Sequence, residues 1–550
     1  MAEKKIFPAL LFDTRSIQRY IYSGNRLRTN IGASFIVDRL FEDMLIKGVL
    51  KDMFGADSFP SDDVWDSSRD MIEPWANFHE CCVAYVGGGN AMLLFAPSEI
   101  DRRVEVVERF TRKLLVERPG LRVGVAFGEL SIDLETQSLD QDEIDQLYAT
   151  LKRNQNNVFP AVNVPYTGLT LSCDVNGEAA NFCDARNIVR QESGEHQIRF
   201  YSQEVGVKAH FADDANRDLK RRFKNIFERK QFDAAIGDYD FPTQFDQLGQ
   251  IEGNDYFAIV HVDGNNMGKR FRDECKTLTD RRKLSREIKR KTEGAFAQLL
   301  VRIIKMIERN GFKDAIDLNE NVLPIRPLII GGDDITFVCP ATTALMFTTT
   351  LMELMNGSGI DCCGGVAIIP TAYPFFRGYT LTEQLCDAAK KSMRRLGDGV
   401  RSNWLDFAIL HGEQAPTLEQ IREREYRGAR GDMHFGPYRV DNRDATSSAV
   451  RRHNIENLFE CTRQFKSGSI ANNKVKEMRA VLQHGRDEAQ RFFQQLTYQD
   501  QHLPTIDDWS DYAIDLGWSN EREPRTPYID AIELADFYFT EVVEQWQSLT

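Results

Sequence analysis

Gly331-Gly332-Asp333-Asp334 lies between two apolar, β-prone runs, Leu328-Ile329-Ile330 and Ile335-Thr336-Phe337-Val338. The pattern reads as a hairpin whose tip carries two glycines followed by two adjacent carboxylates. Neighbouring carboxylates on a tight turn repel each other unless a cation sits between them, and hard divalent ions such as Mg²⁺ take oxygen ligands. An ordinary solvated turn has the same composition, because Gly and Asp are common turn residues. A third acid favours the metal: Asp263 ends the apolar run that starts at Tyr256. Carboxylates converging from separate segments could hold two Mg²⁺ or Mn²⁺ ions. Ions so held polarise an α-phosphate, lower the pKa of an attacking hydroxyl and neutralise departing pyrophosphate.

Gly331 and Gly332 would let backbone approach a ligand closely. After Asp263 the chain turns through Gly264, Asn265, Asn266 and Gly268, with Lys269 and Arg270 following. The amides of this turn are suited to triphosphate oxygens; taken alone, the segment is equally a plain β–α turn. Lys390, on a helix expected over Leu381–Leu396, could neutralise phosphate charge, although exposure on a helix surface is the default for a lysine. Ser402 has the same default. His261, inside the apolar run, reads as a packed core histidine rather than a catalyst. No Ser/His/Asp grouping stands out.

The elements that must position these residues occur twice. Pro8–Asp13 reads as a strand ending in an acid, followed by helical stretches over Ser16–Tyr22 and Gly32–Leu50. An acidic loop follows at Pro60–Pro74, then a hairpin around Gly87-Gly88-Gly89-Asn90, a helix over Glu99–Glu117 and a strand over Arg122–Phe127. The later segment repeats the order: strand Tyr256–Asp263, helix Asp280–Glu308, the Gly331 hairpin, helix Thr342–Met355 and strand Gly365–Ile369. The intervals from acid to hairpin, and from hairpin to final strand, are nearly equal in the two copies. This predicts an α+β chain with two ferredoxin-like β-α-β-β-α-β units in tandem. Where the second copy has Asp333-Asp334 the first has Gly89-Asn90, so chemistry is expected in the second alone. The expected domains are 1–163, the first, degenerate unit; 164–250, a small linker domain; 251–413, the second unit; and 414–550, an α-helical domain with helices over Asn454–Thr497 and Asp530–Gln547.

At 550 residues the chain is too long for one core. With 42% hydrophobic and 28% charged residues it has the composition of a soluble globular protein. No apolar run approaches the ~18 residues of a membrane span, and the N-terminus lacks a signal-peptide apolar region. A cytoplasmic protein that does not enter a membrane is expected. The ten cysteines show no paired metal-type spacing and read as reduced thiols. A net charge of −14 argues against nucleic-acid binding over the whole surface. It leaves room for local basic stretches at 220–224 and 281–291, which otherwise read as solvated helix faces.

These motifs resemble the large polymerase/cyclase subunit of type III CRISPR effector complexes and, more distantly, the GGDEF nucleotide cyclases. The first copy carries the resemblance at Phe12-Asp13-Thr14, Ile17–Ile21 and Gly32-Ala33-Ser34. In the second it is carried by Asp263–Gly268, Gly331–Asp334, the Lys390 helix and Ser402 with Asp406-Phe407. The resemblance implies palm domains that convert ATP into cyclic oligoadenylates, second messengers of antiviral defence, with release of pyrophosphate. It implies that Asp263, Asp333 and Asp334 hold Mg²⁺ and that Ser34 and Ser402 line nucleotide pockets. The implied partners are guide or target RNA and other effector subunits.

Three departures from the family pattern bear on this. Asn265 stands where a second acid is common. The first palm-like strand starts within ten residues of Met1, so a histidine–aspartate nuclease domain is not expected. Cys173…Cys183 looks like the remnant of a zinc ribbon with Asn176 at a ligand position, and two cysteines fall short of four ligands, so zinc is not expected. Two alternatives stay open: a non-catalytic scaffold of a ribonucleoprotein complex, and a GTP-using cyclic dinucleotide synthase.

Overall fold

The computed structural model describes residues 4–55, 80–87, 89–133, 135–136, 138–156, 168–191, 198–251, 255–319, 321–395, 402–412, 417–440, 448–468, 470–514, 516–519 and 523–549. The acidic loop expected at 60–74 and the expected boundaries at 163/164 and 413/414 lie outside them. The chain forms two compact units. One comprises Met1–Arg221, Asn266–Thr292 and Leu328–Asp333; the other comprises Arg222–Asn265, Glu293–Pro327 and Asp334–Thr550.

In the first unit, β1 (Lys4–Arg15), α1 (Leu27–Arg39), β2 (Cys81–Gly87), β3 (Asn90–Phe95), α2 (Arg102–Glu117), β4 (Arg122–Asp133) and α3 (Gln141–Asn156) follow in order. The sheet runs β2-β3-β1-β4, all antiparallel, which is the ferredoxin-like strand order. β1 is longer than expected because residues 4–8 continue along β4 beyond the end of β3. Pro8 therefore sits where the strand has one neighbour and its missing N–H costs no ladder bond on the other side. Strand alternation divides the residues between two faces. Phe12 packs edge-on to Phe110 of α2, while Phe7, Ala9, Leu11, Ala126 and Leu130 form a core with Ile144, Leu147 and Leu151 of α3. Sequence periodicity did not single out α3, which carries seven charged or amide residues in its first thirteen positions and only three buried apolar ones.

Between the copies, β5 (Phe182–Asp184) and β6 (Arg199–Tyr201) pair as a small ribbon beside α4 (Gln203–Lys230). Cys173 is buried there among Val189, Tyr201, Val205 and Ala209, and Asn176 uses its side-chain oxygen to accept the Glu178 amide.

The second copy comprises β7 (Tyr256–Gly264), α5 (Met267–Glu274), α6 (Leu278–Glu308), β8 (Arg326–Gly331), β9 (Asp334–Pro340), α7 (Ala344–Gly357), β10 (Cys362–Pro370) and α8 (Phe375–Arg395). Its sheet has the order β8-β9-β7-β10, matching the first, and β11 (Trp404–Ile409) and β12 (Tyr438–Arg439) extend it. β11 lies parallel to β10. β10 is buried along nearly its whole length because helices cover both faces. A Cβ on Gly364 would meet Thr348 and Met352 of α7, and one on Gly365 would meet the Thr382 carbonyl and Cys386 amide of α8. Both copies are thus α+β sheets with an extra helix, α3 or α8, after the fourth strand.

The C-terminal part is helical: α9 (Leu418–Glu425), α10 (Ile455–Lys466), α11 (Asn472–His484), α12 (Arg486–Tyr498), α13 (Tyr528–Leu534) and α14 (Thr540–Gln547). The helical stretch expected over Asn454–Thr497 is three helices. The chain breaks at Gly468 and Gly485, whose positive φ angles of 84° and 123° end a helix. Among the described residues no helix is long and apolar enough to cross a membrane.

Candidate active site

β7 alternates its side chains, so His261 and Asp263 point to the face covered by α8. His261 lies edge-on to Tyr379 and shares a hydrogen bond of 3.1 Å with Thr336 Oγ1. Burial, and then the nearby Lys390, push its pKa down to about 4, so the ring is neutral and packed. Two residues further along, Lys390 Nζ donates to Asp263 Oδ2. Burial and the repulsion of Arg394 hold the Lys390 pKa below the usual lysine value.

The hairpin tip is a two-residue turn, Gly332-Asp333. Gly332 has φ 63°, and Asp333 is not left-handed, the pattern of a type II′ turn that takes glycine at its first position. The register pairing Val262 with Ile335 continues to bring Asp263 opposite Asp334. One carboxylate oxygen from each of Asp263, Asp333 and Asp334 lies within 4.8 Å of the others. Among the described residues this is the one cluster of three or more His, Cys, Asp or Glu side chains with such geometry. Burial raises the pKa of Asp333, as expected of an acid whose charge lacks full compensation. The donor set, all carboxylate oxygens, fits a hard divalent cation.

Around the acids, Gly264 is buried at the strand end and Asn266 takes a left-handed conformation (φ 60°) before α5. Gly268 is exposed, and a Cβ at Gly268 or Gly332 would have no neighbour within 4 Å, so both positions border open space. Gly331 precedes the turn and is half-buried. The Asn265 amide donates to the Asp361 carbonyl, its Nδ2 lies 3.5 Å from the Ser402 carbonyl, and its buried Oδ1 has no partner.

Two residues carried over from the resemblance have hydrogen-bond partners within the protein. Ser402 is fully buried and its hydroxyl accepts the Trp404 indole N–H at 3.0 Å. Ser34 donates to the Leu328 carbonyl, on the strand leading into the turn. Gly32, two residues before Ser34, lets α1 meet α4, since a Cβ would fall 1.7 Å from the Lys208 carbonyl oxygen. Asp406 is buried against Arg422 and His434.

The first copy shows the same frame with other chemistry. Asp13 pairs with Asn90 across β1 and β3, as Asp263 faces Asp334. Gln155 of α3 donates to Asp13 where Lys390 of α8 reaches Asp263. Gln155 was not foreseen from sequence, because its helix was not; a repeat extended by one helix would have exposed it.

Residues 256–396 match the family described as Cas10/Cmr2, second palm domain. This segment is similar to a Cas10/Cmr2 second palm. The matched segment runs from β7 through α8 and so contains all three clustered aspartates and Lys390. No curated protein matches the sequence. Among solved structures, the Csm1–Csm4 cassette in complex with pppApApA is 11% identical, with a TM-score of 0.49, over 96% of this chain and 69% of that one. The cassette in complex with cA4 is 12% identical, TM-score 0.46, over 96% and 69%. Csm1 from T. onnurineus is 12% identical, TM-score 0.45, over 97% and 70%.

Proposed function

We propose that the protein is a metal-dependent nucleotidyltransferase that converts ATP into cyclic oligoadenylates and pyrophosphate. The observation that carries this is the convergence of Asp263, Asp333 and Asp334 inside a Cas10/Cmr2 second palm. In the reaction the 3′-hydroxyl oxygen of one nucleotide bonds to the α-phosphorus of another, the bond to the β-phosphate breaks, pyrophosphate leaves and the hydroxyl proton passes to solvent. Two Mg²⁺ or Mn²⁺ ions held by the three aspartates would supply charge neutralisation and lower the pKa of the hydroxyl.

The chain's own residues bind and orient. Lys390 brings a positive charge to Asp263 and so to phosphate entering beside it. The open space next to Gly268 and Gly332 gives a triphosphate room against backbone amides. The Asn265 amide is tied to Asp361, which fixes the turn after Asp263. Ser34 and Ser402 act as supports, holding the hairpin strand and the Trp404 segment, rather than as nucleotide contacts. Assembly with other effector subunits and RNA is part of the same proposal.

Incubation of the purified protein with each nucleoside triphosphate and Mg²⁺ or Mn²⁺, with and without RNA, tests it. Cyclic oligoadenylate is the expected product, and the Asp333→Asn, Asp334→Asn variant is expected to make none. Failure of every triphosphate under both conditions would return the chain to a scaffold role, and product from GTP alone would reassign the base.

A further inference from the structure

A second ligand-sized space lies in the first unit, away from the residues used above. It is a groove of about 530 Å³ between the C-terminal end of α2 and the start of α4. Its apolar lining includes Val116, Phe182, Ile188 and Val207. The Phe182 ring lies against Gly206 of α4, where a Cβ would come within 2.6 Å of the ring, so the helix keeps a glycine that lets the aromatic plane settle.

Arg118, Arg186 and His210 also line the groove. The Arg118 guanidinium sits over the Phe211 ring, 4.4 Å from its centre, and donates to the Glu117 main-chain oxygen at 2.8 Å. Arg186 is exposed and has no carboxylate partner among the described residues. The two acids of the groove are already engaged. Asp184 accepts the amides of Ile188 and Val189 at 2.9 and 3.0 Å, and Glu117 pairs with Lys113 at 2.7 Å. Among the described residues neither Arg118 nor Arg186 forms an ion pair with these carboxylates, in a chain whose net charge is −14.

An apolar lining that includes the Phe182 and Phe211 rings, with guanidiniums beside it, suits a planar base joined to phosphate. Aromatic and guanidinium planes stack bases, and guanidiniums hold phosphate in two-point contacts. The volume falls in the range of small-ligand sites, roughly 300–1,000 Å³. An acidic peptide would engage the arginines but leave the aromatic lining without a stacking partner. We infer that this groove binds a nucleotide, presented either as a free mononucleotide or as one unit of a single-stranded nucleic acid. The proposal does not depend on catalysis at the aspartate cluster.

Cys183 lines the groove and is exposed, whereas the other nine cysteines are buried. Its rate of labelling by a maleimide therefore reads groove occupancy directly. The measurement uses the Asp333→Asn, Asp334→Asn protein, so that catalytic turnover does not contribute. AMP, a single-stranded oligoribonucleotide of about six nucleotides and inorganic phosphate are added in turn.

Saturable slowing of Cys183 labelling by roughly ten-fold is expected with AMP or the oligonucleotide, and not with phosphate. Slowing by AMP assigns a free nucleotide, and slowing by the oligonucleotide alone assigns a strand. Arg186→Glu, at an exposed position, and Arg118→Ala are expected to abolish the protection while the melting temperature of the Arg186→Glu protein is unchanged. No protection at millimolar ligand, equal protection by phosphate, or protection that survives Arg186→Glu would overturn the inference.

Discussion

An ammonium meets Asp263, and an amide meets its counterpart Asp13. Burial raises the Asp13 pKa, with the Gln155 hydrogen bond opposing the rise, and no second acid stands beside it because Asn90 occupies the place of Asp334. The first copy thus keeps the same frame with one acid where the second has three. Lys390→Met is expected to lower kcat/KM for ATP by roughly ten- to a hundred-fold through loss of a charge-assisted phosphate contact, while Gln155→Lys leaves product formation unchanged. Steady-state kinetics on both variants check this, and equal losses would contradict the asymmetry. Mn²⁺ is expected to raise the melting temperature by a few degrees, because ion bound to the folded state alone stabilises it by about 3 kcal/mol at 100 times its Kd. Asp263→Asn should abolish that shift, and a shift that persists would place the ion elsewhere.

At the scale of elements, glycines decide where helices and turns can go. Gly364 and Gly365 face opposite sides of β10, and at Gly365 a Cβ would lie 2.2 Å from the Thr382 carbonyl oxygen. Gly365→Ala is expected to push α8 off the sheet, destabilise the fold by about 1–3 kcal/mol and displace Lys390 from Asp263. Chemical denaturation together with nucleotide affinity measures both effects. Gly332→Ala meets no neighbour but must adopt φ 63°. It should cost about 1 kcal/mol of strain while reducing activity more than stability, because the turn carries Asp333. Full activity in that variant would show that the turn conformation is not needed.

Within the second unit, a buried ionic network joins the extended sheet to the C-terminal helices. His434 lies 3.1 Å from Asp406 of β11 and 3.2 Å from Asp530 of α13. Asp530 also accepts the Tyr438 hydroxyl at 2.6 Å and the amides of Phe435 and Gly436. Burial alone would lower the His434 pKa, but the Asp530 and Asp406 carboxylates override it and raise it to about 9. A raised histidine stabilises the fold fully below its unfolded pKa, about 6.5, and loses that contribution as pH climbs through about 9. Burial raises Glu533 to about 7 against the pull of Arg479, so its protonated form also favours the fold and its contribution fades as pH rises from about 4.5 through about 7. Stability should therefore fall by an order of 1–3 kcal/mol between neutral pH and pH 9. His434→Gln should flatten that slope and be less stable at pH 6; an unchanged slope would remove His434 from the account.

Much of the protein is legible in its residues because local chemistry is written in short patterns. Short apolar runs ending in an acid marked both first strands, two glycines and two aspartates marked the hairpin, and the repeated order of elements pointed to two related sheets. Asp263 could be matched to Asp333 and Asp334 because a ferredoxin-like order places the first strand beside the hairpin. Folding alone decided the rest. The charged outer face of α3 hid a helix whose importance comes from crossing the sheet, so Gln155 was invisible as the partner of Asp13. Ser402 has a serine's hydroxyl in any sequence, but only packing against Trp404 turned it inward. His434 and Asp530 are 96 residues apart, and nothing local predicts that burial would make them a pair. Motifs survive in sequence because they depend on neighbours along the chain, whereas charge compensation and burial depend on neighbours in space.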